Sequence, residues 1–153
     1  NLSTCSLIWE ELSKHNFDRN SLLINLGGGV IGDMGGFAAS TYKRGIDFIQ
    51  ISTTLLSMAD ASVGGKLGID FNGLKNQVGL FKNPKLVLIY PEFLETLEEN
   101  QLNSGFAEIV KHALIADANL WNKLKETSFS DVDWEDIIAR SVPLIVIIPS
   151  DVS

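Results

Sequence analysis

Residues 22–37 read LLINLGGGVIGDMGGF, and this stretch decides the fold. The apolar segment Leu22–Leu26 predicts a buried strand, and it runs directly into the glycines at positions 27–29. Small and apolar residues then predict a packed helix over Asp33–Tyr42, opened by an acidic residue. A strand that turns through glycines into a helix is the first half of an α/β unit.

The glycine turn has the spacing of a nucleotide-binding motif. Gly27, Gly29 and Gly32 satisfy G-x-G-x-x-G between the predicted strand and helix. Glycines allow the backbone to approach a pyrophosphate closely, and a helix N-terminus presents free N–H groups to it. A tight turn without a ligand explains the glycines equally well. Asp47, twenty residues beyond Gly27, fits the ribose-binding position of the simple motif, but it also suits a solvent-facing strand edge and we leave it unassigned.

Hydrophobic periodicity predicts the remaining helices and strands. They alternate in the first part of the chain, and the last part is helical. In chain order we predict a short amphipathic helix over Leu7–Leu12, a second strand over Asp47–Ile51, a helix near Thr54–Ala61, an irregular glycine-punctuated segment over Ser62–Phe81, a third strand over Leu86–Tyr90, helical pieces over Glu92–Asn103 and a helix continuing to about Leu124.

Composition limits the partners. The 153 residues are 45% apolar and 20% charged, with a formal net charge of −7. An acidic chain attracts neither nucleic acid nor an anionic membrane surface, so we expect neither partner. The longest apolar run, Leu144–Ile148, is far shorter than the ~20 residues that span a bilayer. Cys5 is the single cysteine, which is compatible with a reducing compartment, and we predict a passive thiol and a cytoplasmic protein.

The N-terminal residues show no signal peptide, since no basic segment precedes an apolar one. The first residue, Asn1, is not methionine, and we expect that it is not the natural start.

Four cationic residues occur in or near the irregular segments: Arg44, Lys66, Lys75 and Lys111. Each one alone suits a solvated surface position. In an acidic protein, however, lysines in glycine-rich loops can hold phosphate or carboxylate oxygens.

Glu108, Lys111 and His112 are spaced i, i+3 and i+4, so they can share one helix face. A glutamate and a histidine at this spacing could ligate a metal, but two ligands are too few for a closed site. On the residues alone, an ordinary Glu–Lys pair with a satisfied histidine is favoured.

Five ordered blocks resemble the 3-dehydroquinate synthase family, over about Leu22–Leu124. They are LLINLGGGVIGDMGGF (22–37), TYKRGIDFIQISTTLL (41–56), DASVGGKLGID (60–70), GLKNQVGLF (73–81) and SGFAEIVKHALI (104–115). Five blocks in order are far more specific than one glycine motif.

The resemblance implies an NAD-binding α/β domain with a parallel sheet, here in part over residues 1–91, and the start of a helical domain over 92–153. It implies a homodimer, NAD and a divalent metal, Zn²⁺ or Co²⁺, as cofactors, and a small anionic sugar-acid phosphate as substrate. It implies cofactor contacts at Gly28, Gly29, Val30, Asp33, Thr53, Thr54, Leu56, Lys75, Thr96 and Leu97. It implies catalytic or substrate roles for Lys66, Lys75, Asn76, Lys111, Asp60 and Arg44, the last across the dimer interface, and a metal-ligand role for Glu108.

The implied reaction cyclises 3-deoxy-D-arabino-heptulosonate 7-phosphate to 3-dehydroquinate with loss of phosphate, and it uses NAD as a regenerated redox catalyst. Family members are more than twice as long as this chain. His15 and His112 match neither of the family's metal histidines, so we expect the 153 residues alone to be inactive. The apolar ending, Val142–Ser153, also departs from the family's pattern.

Other functions are compatible with the same residues. A related sugar-phosphate cyclase, of the 2-deoxy-scyllo-inosose synthase type, would share the glycine turn and the lysines. A metal-dependent alcohol or glycerol dehydrogenase is less favoured, because of the blocks around Lys66 and Lys75. A non-catalytic NAD-binding or dimerisation fragment is the alternative from another class.

Overall fold

The computed structural model describes residues 1–61 and 64–141. Its helices and strands, in chain order, are α1 (Leu2–Lys14), β1 (Leu22–Gly27), α2 (Gly29–Thr41), β2 (Asp47–Ser52), β3 (Lys66–Phe71), β4 (Leu74–Phe81), β5 (Leu86–Ile89), α3 (Glu99–Ala116), α4 (Ala118–Glu126) and α5 (Trp134–Ser141). Short 3₁₀ turns cover Tyr42–Arg44, Pro91–Thr96 and Phe129–Asp131, and one wide helical turn covers Ser57–Ala61.

A three-stranded parallel sheet forms the α/β part, with the order β1-β2-β5. Helix α2 returns the chain from β1 to β2 and packs on one face of this sheet, where Gly36 approaches Phe48. Helix α1 joins α2 through a hydrogen bond that Trp9 Nε1 donates to the carbonyl oxygen of Ala38 at 3.0 Å. The predicted α/β class with a parallel sheet is confirmed, and α1 is longer than the predicted Leu7–Leu12 helix.

The expectation of a buried first strand is wrong for one of its two faces. Leu22, Ile24 and Leu26 are exposed by 45%, 56% and 57%, and Leu86 and Leu88 of β5 are exposed on the same face. The reason is the alternation of side chains along a strand, because the described helices pack on the opposite face. This apolar sheet face is therefore uncovered in the described part of the chain.

The start of α2 also differs from the prediction. The helix begins at Gly29, four residues before Asp33, because the glycines themselves form its first turn. Asp33 lies within the helix and does not open it.

The segment predicted to be irregular is mostly an antiparallel hairpin, β3–β4, which lies between β2 and β5 in the sequence. Asn72 and Gly73 connect the two strands with φ angles of 51° and 76°. An Asn-Gly pair with positive φ at both residues is the preferred two-residue hairpin turn. Residues 62–63 of this segment lie outside the described residues.

The helix predicted to continue to about Leu124 is two helices that meet at Asp117. The Asp117 carboxylate accepts hydrogen bonds from the backbone N–H groups of Asn119 and Leu120, both at 2.9 Å, so it caps α4. An aspartate in this role ends one helix and starts another.

We predict that Asp117→Ala lowers the free energy of unfolding by about 1 kcal/mol, because two N–H groups at the start of α4 lose their acceptor. Asp117→Asn retains the acceptor and should cost much less. The exposed Asn119→Ala in the same helix is the control, and thermal unfolding measures all three. Equal stability of Asp117→Ala and Asn119→Ala would contradict the capping role.

Two apolar clusters lie within the part of the chain that the structure describes. One joins α1, α2 and the strands through residues such as Cys5, Phe48 and Ile69. The other joins α3, α4 and α5 with Leu55 and Met58. Cys5 is fully buried, and burial raises the pKa of its thiol, as expected for a passive cysteine.

Among the described helices, none has the length and apolar character required to cross a bilayer. The predicted division at residue 91 remains a prediction. The unusual ending, Val142–Ser153, lies outside the described residues.

Candidate functional site

The glycine turn lies where β1 ends and α2 begins. Gly28 is the N-cap of α2, and its carbonyl oxygen accepts from the N–H groups of Ile31 and Gly32 at 3.0 and 3.1 Å. The N-cap Gly28 provides no side-chain hydrogen bond to the first N–H groups of this helix. The first N–H groups of α2, at Gly29 and Val30, therefore face the carboxyl end of the sheet, where anions bind to such helices.

Close packing requires glycine at the turn. A Cβ atom on Gly28 would lie 3.1 Å from Thr54 Cγ2, and a Cβ on Gly27 would lie 2.8 Å from Ile31 Cγ1. The N–H of Thr53 donates to the carbonyl oxygen of Gly27 at 3.0 Å, so the end of β2 lies beside the turn. The turn and the residues after β2 thus form one compact region.

Thr54 and the segment after it connect the turn to the helical part. The hydroxyl groups of Thr54 and Ser57 are 2.9 Å apart. The predicted contact Leu56 is exposed by 42%, whereas Leu55 is buried against the helices. Helix α3 approaches this segment closely at Gly105, where a Cβ would lie 2.5 Å from the backbone nitrogen of Leu56.

Glu108 and Lys111 follow Gly105 by one and two turns of α3, and their side chains form an ion pair. The hydrogen bond that Lys111 donates to Glu108 within this pair is the main cause that raises the pKa of Lys111, and the negative charge of Asp60 raises that pKa further. Burial is the main cause that raises the pKa of Asp33 to about 6, and the charge of Asp60 adds to it. The charge of Asp60 thus acts both on α2 and on α3.

His112 lies on the same face of α3 as Glu108, as its spacing predicts, and it also makes a contact to α5 that the sequence did not indicate. Its Nε2 is 3.2 Å from Glu108 Oε1, and its Nδ1 is 2.7 Å from the hydroxyl oxygen of Ser141 on α5. A neutral imidazole can accept from the serine and donate to the carboxylate. His112 therefore connects α5 to the Glu108 side chain.

The structure therefore brings four of the predicted site residues into one electrostatic group on three elements: Asp33, Asp60, Glu108 and Lys111. The glycine turn lies at the start of the same helix as Asp33.

Three other predicted residues, Lys66, Lys75 and Asn76, lie on the β3–β4 hairpin and are exposed. Asn76 has a φ of 51°, and its N–H donates to Asp70 Oδ1 at 2.9 Å. The described contacts do not join these three to the group around Asp60. Their predicted roles therefore stay predictions.

Arg44 lies in the 3₁₀ turn after α2, where it is exposed and has a φ of 72°. Lys43 before it has a φ of 48°. Two adjacent non-glycine residues in this region cost on the order of 1 kcal/mol each, and such strain is often found at functional positions.

Thr96 and Leu97 lie at the end of the 3₁₀ turn that follows β5. Thr96 is exposed, and Leu97 packs against the helical cluster. A surface depression of about 430 Å³ lies near this turn, and neither residue lines it.

The residues that the structure describes do not assemble a metal site. Within residues 1–61 and 64–141, no group of three His, Cys, Asp or Glu side chains could hold an ion. Glu108 is the one residue matched to a metal ligand, and its carboxylate is paired with Lys111 and His112. A zinc site with three protein ligands therefore needs two further ligands.

The glycine turn, by contrast, fits a dinucleotide. Its first N–H groups have no side-chain cap and lie at the carboxyl end of a parallel sheet, where a phosphate can accept hydrogen bonds from them. The fold and the turn together define a class of protein, the α/β folds that bind a ligand at the carboxyl ends of parallel strands.

The particular family follows from comparison with known proteins. The family model for the N-terminal part of 3-dehydroquinate synthase matches residues 1–104. The chain belongs to the 3-dehydroquinate synthase family.

Relatives and solved structures agree with this assignment. A 3-dehydroquinate synthase of Sulfurovum sp. strain NBC37-1 is 52% identical over 144 residues, which cover 94% of this chain and 41% of that protein. A 2-epi-5-epi-valiolone synthase from Streptomyces hygroscopicus subsp. jinggangensis 5008, solved with NAD⁺ and Zn²⁺ bound, is 34% identical with a TM-score of 0.87, over 93% of this chain and 42% of that one. A 2-deoxy-scyllo-inosose synthase complexed with carbaglucose-6-phosphate, NAD⁺ and Co²⁺ is 27% identical with a TM-score of 0.81, over 93% of this chain and 41% of that one. This chain thus spans well under half the length of the relatives it matches.

Proposed function

We propose that this chain is part of a 3-dehydroquinate synthase, a lyase that cyclises 3-deoxy-D-arabino-heptulosonate 7-phosphate to 3-dehydroquinate and releases phosphate. One observation carries the proposal. Gly105 lets α3 pack against the residues that follow β2, and this places Glu108 and Lys111 in one electrostatic group with Asp60 and Asp33. The glycine turn and the ionic residues of the family motif thus serve one site.

NAD is the cofactor that we assign to the glycine turn. The N–H groups of Gly28, Gly29 and Val30 would hold its diphosphate, with Thr53 and Thr54 beside them. When bound, NAD supplies the site with a hydride acceptor and donor. The 2-epi-5-epi-valiolone synthase structure with NAD⁺ bound supports this assignment.

Lys111 is the residue that we assign to an anionic oxygen of the substrate. Its ion pair with Glu108 and the charge of Asp60 keep its amine protonated, since both raise its pKa. Lys66, Lys75, Asn76 and Arg44 are exposed, and we propose that they bind phosphate and carboxylate groups of the substrate. Zn²⁺ or Co²⁺ would require ligands beyond Glu108.

We also propose that the protein forms a dimer and that it acts in the cytoplasm. The strained, exposed Arg44 is suited to reach a second copy of the chain. The lone buried thiol of Cys5 is compatible with the reducing cytoplasm, where we place the reaction.

A sugar-phosphate cyclase with another substrate is the second candidate. It is supported by the TM-scores of 0.87 and 0.81 to the two cyclase structures. The identity of 52% to a 3-dehydroquinate synthase favours the first candidate.

A chimeric enzyme tests the proposed activity. The matched region of the Sulfurovum 3-dehydroquinate synthase is replaced by this chain, and phosphate release from 3-deoxy-D-arabino-heptulosonate 7-phosphate is measured with NAD and Zn²⁺. We expect turnover by the chimera and none above background by the 153 residues alone, because one metal ligand cannot complete a catalytic site.

The same chimera with Lys111→Met is the matched control, and we expect it to lose activity. A folded chimera that releases no phosphate would contradict the proposal. A chimera that acts only on the sugar phosphate imitated by carbaglucose-6-phosphate would favour the second candidate.

A further inference from the structure

Two amide side chains are buried under the glycine turn, on the face of the sheet that α2 covers. Asn25 of β1 and Gln50 of β2 are each 6% exposed, and they are direct neighbours in the strand register. Buried positions under a helix are ordinarily filled by aliphatic side chains. A pair of amides at this place therefore needs an explanation.

Gln50 contacts the backbone of the first turns of α2. Its Nε2 donates a hydrogen bond to the carbonyl oxygen of Gly32 at 2.9 Å. A Cβ atom on Gly32 would lie 3.2 Å from Gln50 Oε1, and a Cβ on Gly35 would collide with Asn25 Oδ1. The glycines of α2 and the two amides thus fit together, and a side chain on Gly35 would force the helix away from the sheet.

Stability alone gives no reason for this pair. Asn25 Nδ2 is buried and has no hydrogen-bond partner among the described residues, which destabilises the folded state. An apolar pair of the same size would avoid that cost. A feature that lowers stability and borders a candidate binding turn points to function.

We propose that Gln50 is a positioning residue for the cofactor turn. Its hydrogen bond to Gly32 fixes the rotation of α2 relative to the sheet. The rotation of α2 in turn sets where the N–H groups of Gly29 and Val30 point. The inference rests on the proposed binding of NAD at this turn, and it assigns to Gln50 no contact with the cofactor itself.

Two substitutions separate positioning from a structural role. Gln50→Met keeps the length of the side chain and removes its polar atoms. Gln50→Glu keeps the shape and replaces the donating nitrogen with an oxygen. The exposed Gln101→Met, at the start of α3, is the matched control.

The measurement is NAD affinity of the chimeric enzyme described above, carrying either the unchanged chain or one of the variants, by calorimetry, together with the thermal midpoint. We expect both Gln50 variants to bind NAD about three- to tenfold more weakly, which is the effect of one net hydrogen bond. The thermal midpoint of Gln50→Met should equal or exceed that of the unchanged chain. Gln101→Met should change neither quantity.

Amide hydrogen exchange gives a readout that needs no cofactor. In both Gln50 variants the N–H groups of Ile31 and Gly32 should exchange faster, while those of α3 keep their rate. Unchanged exchange at the turn would overturn the inference, and so would equal NAD affinity of Gln50→Met and the unchanged chain. Absence of NAD binding by the unchanged chain would count against the proposed function, while the exchange rates would still decide the role of Gln50.

Discussion

Gly105→Ala should lower the free energy of unfolding by about 3 kcal/mol, the upper part of the usual range for an overpacked position. A Cβ atom at this position would lie 2.5 Å from the backbone nitrogen of Leu56 and 2.6 Å from Leu55 Cβ. A backbone atom cannot rotate aside as a side chain can, so α3 must move away from the α/β part. Alanine is otherwise the better helix former, and the sign of the effect therefore reports packing.

Urea unfolding of Gly105→Ala measures this effect, with the exposed neighbour Ser104→Ala as the control. The control should stay within about 0.5 kcal/mol of the unchanged chain. Because Glu108 and Lys111 lie on the same helix, moving α3 should also separate them from Asp60. A stabilised Gly105→Ala protein would show that α3 does not pack at this distance.

Asp33→Asn should have the opposite effect and stabilise the protein at neutral pH. Burial, and secondarily Asp60, raise the pKa of Asp33 to about 6, whereas the unfolded chain ionises near 3.8. Between these values the folded state binds more protons than the unfolded state, so stability falls as pH rises through this window. Ionised Asp33 therefore lowers the stability of the folded state by its full amount above about pH 6, and it has no such effect below pH 3.8.

We expect Asp33→Asn to gain about 1–2 kcal/mol at pH 8, after allowance for partial solvent access, and nothing at pH 3.5. Unfolding by urea at several pH values measures the difference between the two proteins. Asp47→Asn, at an exposed carboxylate paired with Lys85 at 3.5 Å, is the control and should show little change. A gain that is independent of pH would show that ionisation of Asp33 is not its cause.

The sequence predicted most helices and strands, but it predicted their boundaries and their burial less well. The strand at Leu22–Leu26 and the glycine turn were predicted from local pattern, since both depend on adjacent residues. The exposure of Leu22, Ile24 and Leu26 depends on which helices cover the sheet, and a strand's own composition does not contain that information.

The β3–β4 hairpin could have been predicted. The pair Asn72-Gly73 lies between two segments of strand-forming residues and is typical of a hairpin turn, whereas the frequent glycines elsewhere in the segment favour irregular structure. The break at Asp117 was harder to predict, because apolar residues continue at helical spacing on both sides of it.

For the site, family resemblance indicated Asp33, Asp60, Glu108 and Lys111, and their association depends on the packing of α3 against the segment after β2. The roles of Gln50 and Ser141 were missed. Gln50 stands between Phe48 and Ser52 on the covered face of β2, and an amide at a core position was the available signal. Ser141 is distant in sequence from His112, and nothing local relates the two.

The order of the strands sets a kinetic condition on folding. Strands β1 and β2 flank α2 and can pair early, since a short stretch of chain joins them. Strand β5 also pairs with β2, but the whole β3–β4 hairpin lies between them in the sequence. Closing this longer loop costs more entropy. Until β5 arrives, the free edge of β2 is exposed, so refolding yield should fall as the concentration of chain rises.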